Sequence, residues 1–131
     1  MYLVDTSVLT RLRLSRIGDT LLGLGRLFYS PVSGLELRYS AANETDYRKL
    51  TVILDGFDRL PVVDAVFDTA DRTQRQLAKA GLKARPVPDL IIAAQAELAD
   101  LTVLHYDTDF DLISSVTGQP AQWICPPGSI D

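Results

Sequence analysis

The chain predicts an α/β fold built on a short parallel sheet covered by helices on both faces, and three observations predict it. The candidate strands are brief, continuous apolar runs rather than alternating apolar and polar residues, as in strands buried on both sides. Helical apolar stripes separate them, in the strand–helix alternation of a parallel sheet. Finally, 131 residues without an internal repeat, low-complexity tract or linker suit one domain over 1–131 with a core of its own.

The elements follow in order. Tyr2-Leu3-Val4 is a short strand ending at Asp5, and Thr6-Ser7 are helix-capping residues before Val8, Leu9 and Leu12 at helical spacing. Leu27-Phe28-Tyr29 is a second strand, leading through Ser30-Pro31-Val32 to a helix expected from Ser33. There Ser33-Gly34-Leu35-Glu36 reads as a capping box, and Leu35, Tyr39 and Ala42 continue the helix to a break near Asn43. Tyr47, Leu50, Ile53, Leu54 and Phe57 form an apolar stripe on a further helix, stopped by Asp55-Gly56. Leu60-Pro61-Val62-Val63 is expected to be a strand, with Asp64 capping a long amphipathic helix marked by Val66, Ala70, Thr73 and Leu77 and closed at Gly81. Arg85-Pro86-Val87-Pro88 reads as a stiff loop. Asp89 then opens an almost wholly apolar helix, Leu90-Ile91-Ile92-Ala93-Ala94, expected to be central. Leu101-Thr102-Val103-Leu104 is a buried-type strand, 121–124 a last one, and Pro126-Pro127-Gly128 ends the ordered pattern.

Composition narrows the function. Hydrophobic residues make up 47% and charged residues 23%, which is ordinary for a folded chain and excludes disorder. No apolar run reaches the roughly 20 residues of a membrane span, and an acid at position 5 interrupts any secretory signal, so a cytoplasmic protein is expected. The single cysteine, Cys125, cannot form an internal disulfide. A net charge of −4 argues against non-specific binding of nucleic acid, although Arg11, Arg13, Arg16 and Arg26 gather positive charge near the N-terminus. One histidine, His105, poorly supplies either a serine or cysteine triad or a catalytic zinc.

What remains is carboxylates. In open parallel sheets ligands sit beyond the carboxyl ends of the strands, and Asp5 and Asp107 each follow a predicted strand at that edge. Taken singly, Asp5 suits a turn, Glu36 a cap, and Asp89 the positive end of a helix dipole. The segment Asp107-Thr108-Asp109-Phe110-Asp111 suits a solvated turn; as a calcium loop it fails, because Leu112 stands where glycine is needed and Gly118 where glutamate is. His105 reads as a strand-end residue and Ser7 has no base to make it a nucleophile. Together the acids make a different case. Carboxylates about 4 Å apart repel by about 4 kcal/mol at an effective dielectric near 20, so a cluster must hold protons or cations. Oxygen donors without His or Cys select Mg²⁺ or Mn²⁺, ions that serve phosphate-ester chemistry.

Val4-Asp5-Thr6-Ser7, Glu36-Leu37, Pro88-Asp89 with the apolar helix behind it, and Asp107-Thr108-Asp109-Phe110 stand in the order of PIN-domain nucleases. The chain resembles that family over nearly its whole length, in particular the VapC-type toxins of VapBC toxin–antitoxin pairs. The resemblance implies a three-layer α/β/α sandwich and a Mg²⁺- or Mn²⁺-dependent ribonuclease that hydrolyses RNA to 5′-phosphate products. It implies Asp5, Glu36 and Asp89 as metal-binding catalytic acids, with Asp107 or Asp109 as the fourth, and Thr6 or Ser7 orienting the metal site or a phosphate. It also implies a homodimer and a VapB-type antitoxin, for which the stripe from Tyr47 to Phe57 is either a docking groove or plain core. The N-terminal arginines would contact phosphates. Two alternatives stand beside it: an inactive PIN-fold interaction module, and a receiver- or phosphatase-like phosphoryl-handling domain. The latter fits poorly, since position 7 is Ser and the last lysine is Lys83.

Overall fold

The structure is a computed structural model, and it describes residues 1–83 and 85–130. Five strands, β1 (Tyr2–Val4), β2 (Leu27–Tyr29), β3 (Asp58–Arg59), β4 (Thr102–His105) and β5 (Ala121–Trp123), form one sheet in the order β3-β2-β1-β4-β5, every pair parallel. The helices are α1 (Thr6–Leu9), α2 (Ser15–Leu22), α3 (Pro31–Arg38), α4 (Glu44–Leu54), α5 (Ala65–Lys79), α6 (Val87–Ala99) and α7 (Asp109–Thr117).

Side-chain alternation along the strands divides the core in two. Leu3 and Val103 face α5, α6 and α7, meeting Val66, Leu77, Ile92, Phe110 and Ile113. Val4 and Leu104 face the other way, onto Val8, Ile17, Leu37 and Leu54 from α1, α2, α3 and α4. Helices on both faces of a parallel sheet make the expected three-layer α/β/α sandwich, with two apolar cores that hold the central strands from both sides.

Several boundaries differ from expectation, each for a local reason. Residues 60–63 are not a strand. The edge pairing lies two residues earlier, at Asp58–Arg59, and Pro61 has no amide to continue it. Helix α3 begins at Pro31 rather than Ser33, because Ser30 is the cap: its Oγ accepts from the Val32 amide at 3.1 Å, and proline at the first position has a preset φ. The capping box at Ser33 therefore does not form, and the Ser33 hydroxyl lies buried without a partner. Val87 and Pro88 belong to the first turn of α6 instead of a loop, with Asp89 in that turn. Helices α2 and α7 have no counterpart among the expected elements: α2 is short, and α7 starts in the acidic segment that reads as a turn.

No helix among the described residues is long and apolar enough to cross a membrane.

Candidate functional site

The chain runs from β1 outward to β2 and β3, then returns to place β4 on the other side of β1. Between β1 and β4 the winding reverses, which opens a crevice at their carboxyl ends. The Asp5 amide donates to the Leu104 carbonyl at 2.9 Å, so the first residue beyond β1 is tied to β4. Asp107 lies two residues beyond the end of β4. Both predicted strand-end acids thus reach the same crevice.

Asp5 uses its two carboxylate oxygens differently. Oδ2 caps α1, accepting from the Ser7 amide at 3.0 Å and the Ser7 hydroxyl at 2.6 Å. Oδ1 is buried with no hydrogen-bond partner. The turn reading of Asp5 is therefore correct for one oxygen and leaves the other unexplained. A buried, unpartnered carboxylate oxygen is costly. Burial pushes the Asp5 pKa up to about 6, against the lowering effect of the Ser7 bonds.

Ser7 is the joint of the site. While donating to Asp5, its Oγ accepts from the Tyr106 amide at 2.9 Å, which binds the end of β1 to the end of β4. Its hydroxyl is committed on both sides, consistent with a positioning role rather than a nucleophile. Ser7→Ala would leave the Tyr106 amide unpaired, costing about 1–3 kcal/mol; a thermal melt should show the loss, and unchanged stability would refute the joint.

Asp89 enters from α6. It sits in the first helical turn, where the dipole favours its charge, yet burial and then the charges of Asp5 and Asp107 push its pKa up to about 8. A hydrogen bond shared with Asp109 adds to the rise. Carboxylate oxygens of Asp89, Asp107 and Asp109 all lie within 4.8 Å of one another. Asp107 is held by its neighbours: its amide donates to Nδ1 of His105 at 3.2 Å, and its Oδ1 accepts from the Asp109 amide at 2.9 Å.

Glu36 stands at the rim. It is exposed on α3 and accepts from the Thr6 hydroxyl at 2.7 Å, close enough to Asp5 to raise that pKa slightly. With the capping box absent, Glu36 instead joins α3 to α1 through the Thr6 bond, which brings it beside Asp5. Of Thr6 and Ser7, either of which is expected to orient the site, Thr6 bonds Glu36 and Ser7 bonds Asp5.

The other predicted residues separate clearly. His105 is fully buried between the rings of Phe110 and Trp123, with centroids 5.1 and 5.0 Å away, and burial lowers its pKa. It orders the backbone of Asp107 and is a core residue. Asp111 accepts from the Trp123 indole at 3.1 Å and stays outside the cluster. Of the N-terminal arginines, Arg11 lies over the Tyr106 ring and donates to the Ser7 carbonyl at 2.6 Å, and Arg26 pairs with Asp58 at 2.7 Å. Both are engaged within the chain, Arg11 with a backbone carbonyl and Arg26 in an exposed surface pair. The stripe on α4 is divided: Leu54 is buried with Leu50 and Phe57 packed against it, whereas Tyr47, under Arg38, and Ile53 are exposed.

Sequence reasoning missed Arg85. Its Nη1 bonds Asp109 Oδ1 at 3.0 Å, while Nε and Nη2 reach the Lys83 carbonyl at 3.0 and 2.9 Å. Nothing in a stiff Pro-rich loop signals that its arginine folds back onto an acid beyond the next strand.

A divalent cation fits this arrangement on its own chemistry. The donors are all hard oxygens, one is buried and unpartnered, and two of the acids have pKa values raised toward neutrality by burial and by one another.

Comparison with known proteins agrees with the geometry. The PIN domain family matches residues 2–115. Ribonuclease VapC51 of Mycobacterium tuberculosis is 45% identical over 133 residues, covering 99% of this chain and 97% of its own. Ribonuclease VapC18 of the same organism is 48% identical over 99 residues, covering 73% of this chain and 72% of its own. The fold matches a chain in the Rickettsia felis VapBC2 structure, bound to a DNA fragment from their promoter, with TM-score 0.81 at 17% identity over 93% of this chain and 97% of that one. With the family model spanning most of the sequence and a full-length relative at this identity, the chain belongs to the PIN-domain family, in its VapC group.

Proposed function

We propose that the protein is a divalent-metal-dependent endoribonuclease acting as the toxin of a VapBC-type pair. The observation that carries this reading is the Asp5 Oδ1 left buried and unpaired beside three mutually close carboxylates, on a chain similar to VapC ribonucleases along its length. Asp5, Asp89 and Asp107 are suited to hold a Mg²⁺ or Mn²⁺ ion, with Asp109 against them and Glu36 at the rim. Such an ion, when bound, supplies charge neutralisation at the phosphate, an activated water and stabilisation of the departing 3′ oxygen.

The chain's own residues do the rest. Ser7 fixes Asp5 and joins the two strand ends, so the acids are preorganised before substrate arrives. Thr6 holds Glu36 by its carboxylate, at the edge where an RNA strand would pass. Buried His105, packed on Phe110, accepts from the Asp107 amide and so fixes the backbone of that acid. Exposed Arg13 and Arg16 remain as contacts for the RNA backbone.

The partner assignment, a VapB-type antitoxin on a toxin homodimer, rests on this family and on solved toxin–antitoxin complexes of the same fold. Cytoplasmic action follows from an RNA target. Of the alternatives, the phosphatase-like domain is disfavoured by Ser7, whose hydroxyl is occupied on both sides. The inactive module is disfavoured by the full set of acids.

The test incubates the purified chain and Mg²⁺ with end-labelled RNA and with DNA of the same sequence. Cleavage of the RNA to 5′-phosphate ends, abolished by EDTA, is the expected result. Intact RNA after prolonged incubation would overturn the proposal in favour of the inactive module.

A further inference from the structure

The acids at the ends of β1 and β4 crowd negative charge into a small, partly desolvated volume, and Arg85 is fixed against them. Its pair with Asp109 differs in burial from the arginine–carboxylate pairs on the surface. The Arg85 and Asp109 side chains are 19% and 21% exposed, against 62% and 54% for Arg26–Asp58 and 73% and 79% for Arg48–Glu44. Surface pairs of the latter kind contribute little; a shielded guanidinium acts on its neighbours at lower effective dielectric.

The guanidinium is also held in place. Bonds from Nε and Nη2 to the Lys83 carbonyl fix its plane while Nη1 meets Asp109. Arg85 immediately precedes Pro86, the cap residue of the helix that carries Asp89, so the cation and that acid stand at the same helix start. Asp109 in turn belongs to the cluster, with an oxygen within 4.8 Å of those of Asp89 and Asp107. An always-charged, planar donor suits this place better than lysine would.

We infer that Arg85 is the resident cation of the acid site: it holds Asp109 where a second metal ion would otherwise sit, leaving Asp5, Asp89 and Asp107 to a single divalent ion. This deepens the metal-dependent reading above and rests on it. Arg85 is then a positioning residue, and Asp109 belongs to the arginine rather than to the metal.

Counting bound Mn²⁺ by electron paramagnetic resonance at pH 7.5 tests this without any assay of cleavage. The wild-type protein should bind about one Mn²⁺ per chain. Arg85→Gln frees Asp109 and should admit a second Mn²⁺, whereas Arg85→Lys keeps the charge and should hold the count at one. Asp109→Asn, which does not depend on the arginine variants folding, should still bind one ion within about threefold of wild-type affinity. Two ions in the wild type, an unchanged count and affinity in Arg85→Gln, or loss of binding in Asp109→Asn would each overturn the role of Arg85. A wild-type protein that binds no Mn²⁺ at all would instead overturn the metal reading beneath it.

Discussion

Asp5→Asn and Asp89→Asn should each lower RNA cleavage by at least about a hundredfold, the scale on which single electrostatic contributors to a reaction act, while leaving the metal-free fold as stable as before or more so. The two halves of this result separate a functional acid from a structural one. Asparagine retains the shape and an oxygen, so the amide side chain introduced at position 5 can still accept from the Ser7 amide and cap α1. What it removes is a charge that is costly for the fold to hold, since burial and neighbouring acids push Asp5 up to about 6 and Asp89 up to about 8. Kinetics on end-labelled RNA and thermal melts in EDTA make the check. A variant that loses both activity and several degrees of melting temperature would identify a structural acid, contrary to this account. Undiminished cleavage in both variants would remove these residues from the chemistry.

The stabilisation brought by Mg²⁺ should grow with pH, more strongly than for a protein with ordinary carboxylates. The sign follows from linkage. Asp5 and Asp89 are ordinarily near 3.8 and are raised in the folded state, so between about pH 4 and pH 8 the folded chain binds more protons than the unfolded one. The contribution of these two acids to the stability of the metal-free protein is therefore greatest at low pH and is lost as pH rises through that window. For Asp5 alone, a rise of about two units corresponds to about 3 kcal/mol. A bound cation favours the ionised acids and cancels this loss, whereas at low pH protons compete with it. Melting temperatures with Mg²⁺ and with EDTA should accordingly diverge more at pH 8 than at pH 5.5, and the divergence should shrink in Asp89→Asn. Equal shifts at both pH values would contradict the assignment of the raised acids to the metal site.

Much of the fold is legible in the sequence because it rests on burial. The apolar runs at 2–4, 27–29 and 101–104 are strands within a residue of expectation, since a strand covered on both faces shows as unbroken hydrophobicity. What fails is local competition. Ser30 displaces Ser33 as a cap because Pro31 follows it, a choice between two serines that periodicity does not see. The edge strand β3 is two residues of Asp and Arg, with no hydrophobic signature at all. Within the site, Asp5 and Asp107 are readable from their place after strands, and Asp89 from a charge at the head of an apolar helix. Glu36 reads as a cap in the sequence, and only the position of Ser30 frees it for another role. Ser7 and Arg85 act across 99 and 24 residues of sequence, through Tyr106 and Asp109, and such long-range pairings leave no trace in spacing.

The acids gathered at the ends of β1 and β4 are held to form one metal site, and everything proposed for the chemistry depends on it. Calorimetric titration of Mn²⁺ into wild-type, Asp5→Asn and Asp89→Asn proteins at pH 7.5 tests it most directly. Saturable binding to the wild type, weakened at least about tenfold in both variants, is the predicted result. Wild-type affinity retained in both variants, or no binding to any of the three, would contradict it.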